Sequence, residues 1–266
     1  MTGSGNDFVM VDGRVTSPSD WSPEDIHRVC ARGTGVGADG LVFVSPGSES
    51  GSARMIYFNS DGSRAAMCGN AALCSTLLAT VLGLGNASGM RLETDAGVYE
   101  SRCRVGDARA ELHLAAVESP AEPDVRLAPG ESRSAFATVG VPHLVVHVAD
   151  LEAIDLMERG KALRFDPALA PAGANINFIA GTKGRSTWSM RTYERGIEAE
   201  TLACGTGAVA AACILREWGQ ADLPVTLMTR TGLPLQVRAS RARNGRYDNV
   251  WLEGQALLVF RGVLSA

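Results

Sequence analysis

Residues 66–83 read "AMCGNAALCSTLLATVLG" and residues 203–219 read "ACGTGAVAAACILREWG". In both, a Cys-Gly pair stands at the mouth of an apolar run, and the two cysteines, Cys68 and Cys204, lie 136 residues apart. The same offset carries Tyr57 onto Tyr193 and "NDFVMV" (6–11) onto "PHLVVH" (142–147). Within one residue it also carries "TDAG" (94–97) onto "TRTG" (229–232). An offset held over such distances predicts two units of one topology.

Each unit opens on an alternating or apolar strand, "DFVMVDG" or "HLVVHVAD". After connecting segments comes a strand ending in a polar turn, "ARMIYFNSDGS" or "SMRTYERG". The Cys-Gly helix follows, and then hairpin-like segments: "MRLETDAGVYESRCRV" with "ARAELHLAAV", and "VTLMTRTGLPLQVRA" with "YDNVWLEGQALLVF". Ala71, Ala72, Leu73, Cys74, Leu77, Leu78, Val81 and Leu82 leave the first helix no wide polar face, so it must be buried. Gly83 and Gly219 stand where helix C-caps belong. The expected fold is α+β: two pseudo-symmetric domains, each a curled mixed sheet around a central apolar helix. Prolines and glycines in "VESPAEPDVRLAPGE" (117–131) put the boundary there.

The totals exclude several classes. A chain of 266 residues with 45% hydrophobic and 20% charged residues is globular rather than disordered. Its net charge of -4, with Lys and Arg dispersed, argues against nucleic acid as a partner. The longest apolar run, Ala71 to Leu84, is too short to span a membrane, and no charged leader with an apolar core opens the chain. A cytoplasmic location is expected. Six cysteines without any C-x-x-C pair give no metal site, and no glycine-rich loop marks a nucleotide site. No cofactor is required. Cys30, Cys103 and Cys213 are read as small buried hydrophobes.

Cys68 and Cys204 differ. A thiol at a helix N-terminus meets unpaired backbone N–H groups and the positive end of the macrodipole, both of which favour thiolate. The following Gly69 and Gly205 allow a ligand close approach, and Asn70 and Thr206 can donate to an anion such as an amino-acid carboxylate. A single activated cysteine suggests covalent catalysis. Two matched ones suggest removal of a proton from one face of a carbon and return of a proton to the other, which is racemisation or epimerisation by two bases.

The motifs "GSGNDF" (3–8), "FNSDGS" (58–63), "MCGN" (67–70), "NINF" (175–178), "YERG" (193–196) and "ETLACGTGA" (200–208) resemble, in order and across nearly the whole chain, those of the diaminopimelate epimerase family. These are pyridoxal-phosphate-independent isomerases of bacterial lysine and peptidoglycan precursor synthesis. The resemblance implies an active site in an interdomain cleft, with Cys68 and Cys204 as acid and base. It implies a returning C-terminus, giving domains of 1–117 plus 254–266 and of 118–253. His143 and Glu194 match the pair that tunes the thiols and steadies the substrate amine. Arg195, Asn59 and Asn175 match groups that hold the remote amino-acid end, a bidentate guanidinium suiting a carboxylate. Asn6 matches a further substrate contact. Gly69, Asn70, Gly205 and Thr206 would supply donors to the reacting carboxylate and its enolate-like transition state.

Four departures from the family pattern bear on substrate. Ala71 and Leu73 replace a glycine and an arginine, Val141 replaces an asparagine, "ERGIEAET" is one residue long, and the chain opens directly on "MTGSGNDF". Rival readings are a related cofactor-independent racemase of another amino acid, such as histidine, proline or hydroxyproline, and an inactive ligand-binding protein of the same fold. A dithiol redox role lacks its C-x-x-C motif. The partner expected is a small-molecule amino-acid substrate, with no nucleic acid and no membrane, and the sequence leaves room for a homodimer.

Overall fold

The computed structural model describes residues 1–182 and 184–264 and divides into two units, Met1–His113 with the chain from Glu253 onward, and Leu114–Leu252. The last two positions of the expected 254–266 segment lie outside the described residues. The first unit runs β1 (Thr2–Gly3), β2 (Asn6–Asp12), α1 (Pro23–Cys30), β3 (Gly40–Pro46), β4 (Ser52–Asn59), β5 (Arg64–Ala65), α2 (Gly69–Val81), β6 (Met90–Thr94), β7 (Gly97–Arg104) and β8 (Arg109–Leu114). The second runs β9 (Glu131–Val139), β10 (Val141–Val148), α3 (Leu156–Arg164), β11 (Asn175–Ala180), β12 (Thr187–Glu194), β13 (Ala199–Thr201), α4 (Gly205–Glu217), β14 (Val225–Met228), β15 (Pro234–Arg241) and β16 (Tyr247–Gln255).

The pairings repeat step for step. Strand order is β1-β2-β3-β4-β6-β7-β8 in one unit and β9-β10-β11-β12-β14-β15-β16 in the other, with β5 on β4 and β13 on β12. Along the first path the strands pair antiparallel, parallel, antiparallel, parallel and antiparallel as far as β7. The second path follows the same series as far as β15. The α+β class and the repeated mixed sheet are therefore as the sequence predicts.

Each long helix packs on strands from far-apart points of its path: α2 on β1, β3, β4 and β7, and α4 on β9, β10, β11, β14 and β15. A sheet reaches one helix with such distant strands only by curling round it. Asn70 through Ala79 are buried, and so are Gly205 and Gly207 through Leu215. Full burial of a leucine side chain contributes about 1.5–3 kcal/mol, so Leu73, Leu77 and Leu78 anchor α2 strongly. Gly83 and Gly219 follow the helices at φ +72° and +63°, a left-handed conformation that a side chain would strain.

Where connecting segments alone are expected, each unit also carries a shorter outer helix. Ser22 caps α1 reciprocally with Asp25, with Pro23 at the first turn, and Asp155 caps α3 by accepting from the Glu158 N–H. Their apolar faces cover the side of the sheet away from the long helices: Ile26 and Cys30 pack with Leu41 and Phe43, and Leu156 and Leu163 with Leu144, Ile176 and Phe178. Leu144 and Val146 lie in the α3 layer while Val145 lies in the α4 core, the alternation that a strand buried on both faces demands. The closing strand is shorter than its apolar sequence predicts. It ends at Gln255, after which backbone bonds tie Leu257 to Thr2.

Candidate active site

Both cysteines occupy helix N-caps. Cys68 (φ -139°, ψ 121°) precedes Gly69 and Cys204 (φ -128°, ψ 106°) precedes Gly205; neither side chain caps its own helix. A helix start of this kind carries the positive end of the macrodipole, which favours thiolate. Cys68 is half-buried and Cys204 is buried. The other four thiols are removed from acid–base chemistry. Burial pushes Cys74 and Cys213 up to about 12 and Cys30 up to about 11, and raises Cys103.

In the first unit, Asn70 at the start of α2 donates through Nδ2 to Asn6 Oδ1 at 2.6 Å, and Asn6 Nδ2 donates to Asp39 Oδ2 at 2.8 Å. Arg32 joins this relay, donating to Asp39 at 2.8 Å and to both carboxylate oxygens of Asp7. A carboxylate only accepts, so Asp39 sets the direction of every amide in the chain. Asn70 Oδ1 ends buried without a partner among the described residues. One N–H of Asn70 is thus spent on Asn6, and the side chain's unused oxygen is an acceptor. Asn59 stands apart from the relay at the end of β4, donating to Ser63 Oγ at 3.0 Å across a turn.

In the second unit, His143 on β10 lies directly opposite Asn175 on β11. Asn175 Oδ1 accepts from the Arg195 N–H at 2.8 Å, which ties β11 to the turn after β12. His143 is fully buried. Burial first, and the nearby Arg195 charge second, depress it from 6.5 to about 3, so its ring is neutral at physiological pH. Burial also raises the Glu194 carboxyl. The Arg195 guanidinium reaches the Ala172 carbonyl at 3.4 Å. Cys204 Sγ lies 3.7 Å from Thr206 Oγ1. The extra residue of "ERGIEAET" is absorbed in the turn between β12 and β13, where Gly196 (φ +93°) and Glu198 (φ +56°) are left-handed.

Three contributors escape sequence reasoning. Asn177, the second asparagine of "NINF", donates through Nδ2 toward His143 Nδ1 at 3.2 Å, and Thr192 Oγ1 donates to its Oδ1 at 3.0 Å. Gly207 makes this packing possible, because a Cβ there would overlap Asn177 Oδ1 and come within 3.1 Å of Cys204 Sγ. The available signal was the repeated asparagine in "NINF"; its partners lie on other strands. Among the described residues no cluster of His, Cys, Asp and Glu is placed to hold a metal, and no helix is long and apolar enough to cross a membrane.

A family profile described as diaminopimelate epimerase matches residues 1–114 and 135–248. A diaminopimelate epimerase of Gemmatimonas aurantiaca is 44% identical, covering 100% of this chain and 98% of the relative. One from Aquifex aeolicus is 38% identical over 100% of this chain and 96% of its own length. Among solved structures, a Bacillus anthracis PhzF-family phenazine biosynthesis protein superposes with TM-score 0.67 at 16% identity, covering 96% of this chain and 91% of its own. A hydroxyproline epimerase from Agrobacterium vitis superposes with TM-score 0.64 at 19% identity, covering 96% and 86%. These two distant neighbours share the fold.

Proposed function

The chain belongs to the diaminopimelate epimerase family, and from that premise we propose that it interconverts LL- and meso-diaminopimelate with Cys68 and Cys204 as the proton-transfer pair. It is an isomerase, and the family's role is in lysine and peptidoglycan precursor synthesis. That biosynthetic role supports a cytoplasmic site of action. One thiolate removes the α-proton, and the other thiol returns a proton to the other face.

The observation that carries this reading is the matched pair of helix starts, each with a cysteine at the N-cap whose side chain does not cap its own helix. An α-hydrogen beside a carboxylate is a very weak acid, so the difficult part is the charge that develops on the carboxylate as the proton leaves. Fixed N–H dipoles at Gly69, Asn70, Gly205 and Thr206 stabilise it without reorganising. Asn70 Oδ1 suits the α-ammonium as an acceptor. His143 and Glu194 tune the thiols and steady the substrate amine, the one neutral and the other with its carboxyl raised by burial. Arg195, Asn59, Asn175 and Asn6 serve the remaining polar ends of the substrate, the guanidinium pairing with a carboxylate.

The substrate is tested by incubating the protein with LL- and meso-diaminopimelate in deuterated water. Interconversion with deuterium entering at the α-carbon is expected. Exchange confined to a different amino acid, with diaminopimelate inert, overturns the substrate assignment and leaves the isomerase chemistry in place.

A further inference from the structure

A neutral imidazole has two tautomers, and which nitrogen carries the proton decides whether the ring offers a donor or an acceptor. His143 is the fully buried histidine of the chain, and its two nitrogens have different surroundings. Nδ1 lies 3.2 Å from Asn177 Nδ2, whereas Nε2 is buried with no partner among the described residues.

Hydrogens are assigned from the network, so the direction of the Asn177 carboxamide matters. Its nitrogen also lies 3.2 Å from the Leu144 carbonyl and 3.4 Å from the Asn175 carbonyl. Both of those oxygens can only accept, which fixes that end of the side chain as NH2. Its Oδ1 receives the Thr192 hydroxyl at 3.0 Å. The carboxamide cannot turn over without facing two carbonyls with its own oxygen. It is also held from above, since α4 packs against Oδ1 at Gly207, where any side chain would overlap it.

We propose that Asn177 is a positioning residue which, by donating to Nδ1, locks His143 as the Nε2–H tautomer and makes it an uncharged N–H donor rather than a proton-accepting base. Proton transfer then rests with the thiols, and His143 contributes a fixed dipole. The deep depression of its pKa by burial accords with a ring that stays neutral. Thr192 and Gly207 belong to the same device, one orienting the carboxamide and the other making room for it. The role in the reaction rests on the function proposed above; the tautomer does not.

The test uses the full chain labelled with 15N and a long-range proton–nitrogen correlation spectrum of its four histidines. The His143 ring is assigned as the signal missing from His143→Gln. A pyrrole-type Nε2 and a pyridine-type Nδ1 are expected in the wild type; an Nδ1–H ring, a tautomer mixture or an imidazolium overturns the proposal. Asn177→Asp replaces the donor by an acceptor, and should convert His143 to Nδ1–H or to imidazolium with kcat lowered about 10- to 100-fold, the usual cost of losing a group that orients a functional histidine. An unchanged tautomer in folded Asn177→Asp also overturns it. Thr192→Ser keeps the hydroxyl and should keep the wild-type spectrum. Full turnover in His143→Gln would remove His143 from the active site while leaving the spectrum to decide the tautomer.

Discussion

The starts of α2 and α4 share a backbone and a cysteine, yet they are supported by different physics. Beneath the first, the relay Arg32–Asp39–Asn6–Asn70 carries full charges, with the Arg32, Asp7 and Asp39 side chains 62%, 39% and 35% exposed. Beneath the second, Asn177, Thr192 and His143 are buried and uncharged. Water screens charge at the first place; at the second it would be costly, and dipoles replace it. The polarity of what is left over is opposite as well: a buried acceptor on Asn70 in one unit, a buried nitrogen on His143 in the other. Room differs too. A Cβ on Gly69 would meet no described atom within 4 Å, whereas one on Gly205 would come within 2.7 Å of Leu252. A duplicated backbone thus repeats the cysteine and diversifies what surrounds it.

The largest effect expected tests what the two starts share. Cys68→Ser and Cys204→Ser should each lower epimerisation by about 10²–10⁴-fold, the usual worth of a general acid or base. Near-normal turnover in either variant, measured by α-deuterium incorporation, breaks the equivalence of the two thiols.

Acid stability separates them next. His143 is depressed from 6.5 to about 3, so between those values the unfolded chain binds a proton that the folded chain refuses. Stability from this group is complete above 6.5 and falls with decreasing pH, at up to about 1.4 kcal/mol per pH unit. Asp7 in the first unit is a carboxylate held below 3.8, burial opposing the shift and the Arg32 hydrogen bonds and charge, with the backbone N–H bonds of Asp39 and Asp7, together outweighing it. Its contribution is present above 3.8 and is lost only below that. Urea unfolding from pH 7 to pH 4 should therefore show a decline that His143→Gln reduces, leaving the smaller share of the depressed His147, and that Asp7→Asn leaves in place.

Packing gives a smaller contrast. Gly207→Ala should destabilise by about 1–3 kcal/mol through overpacking against Asn177, although glycine to alanine in an open helix gains about 1 kcal/mol. Ala71, 136 residues earlier, is already a buried alanine, and the residue that corresponds to Asn177 in the strand register is the apolar Val42. Ala71→Gly should accordingly cost about 1 kcal/mol in thermal unfolding. Smallest of all, Asn6→Ala leaves the Asn70 amide without its acceptor, at about 1 kcal/mol, while Arg32→Gln on the exposed edge should fall within about 1 kcal/mol. If Arg32→Gln costs more than Asn6→Ala, the relay is not screened as its exposure implies.

The long helices, their glycine stops and most strands were legible because they depend on local patterns: apolar runs, alternation and turn residues. The outer helices were not. In α1 the cap Ser22 and its partner Asp25 sit in a polar stretch with only Ile26 and Cys30 buried, too few to show a period. The named candidate positions came from motifs, but their hydrogen-bond partners did not. Asn177 meets His143 only because β10 and β11 pair in parallel with Val145 opposite Asn177, a register no local signal contains. Val141, Ala71 and Leu73 depart from the family pattern in two different environments: the last two are buried in α2, and Val141 begins β10 half-buried.

The four thiols held protonated by burial give the folded chain an unplanned analytical virtue. With burial raising Cys30, Cys74, Cys103 and Cys213 above the ordinary thiol range, a mild electrophile should alkylate chiefly the two remaining sulfurs. The mass added per chain then reports occupancy: one or two adducts on the free protein, fewer when an amino acid shields them, and six only after unfolding. Ligands can be ranked by protection from labelling, without a coupled assay and without engineering a reporter.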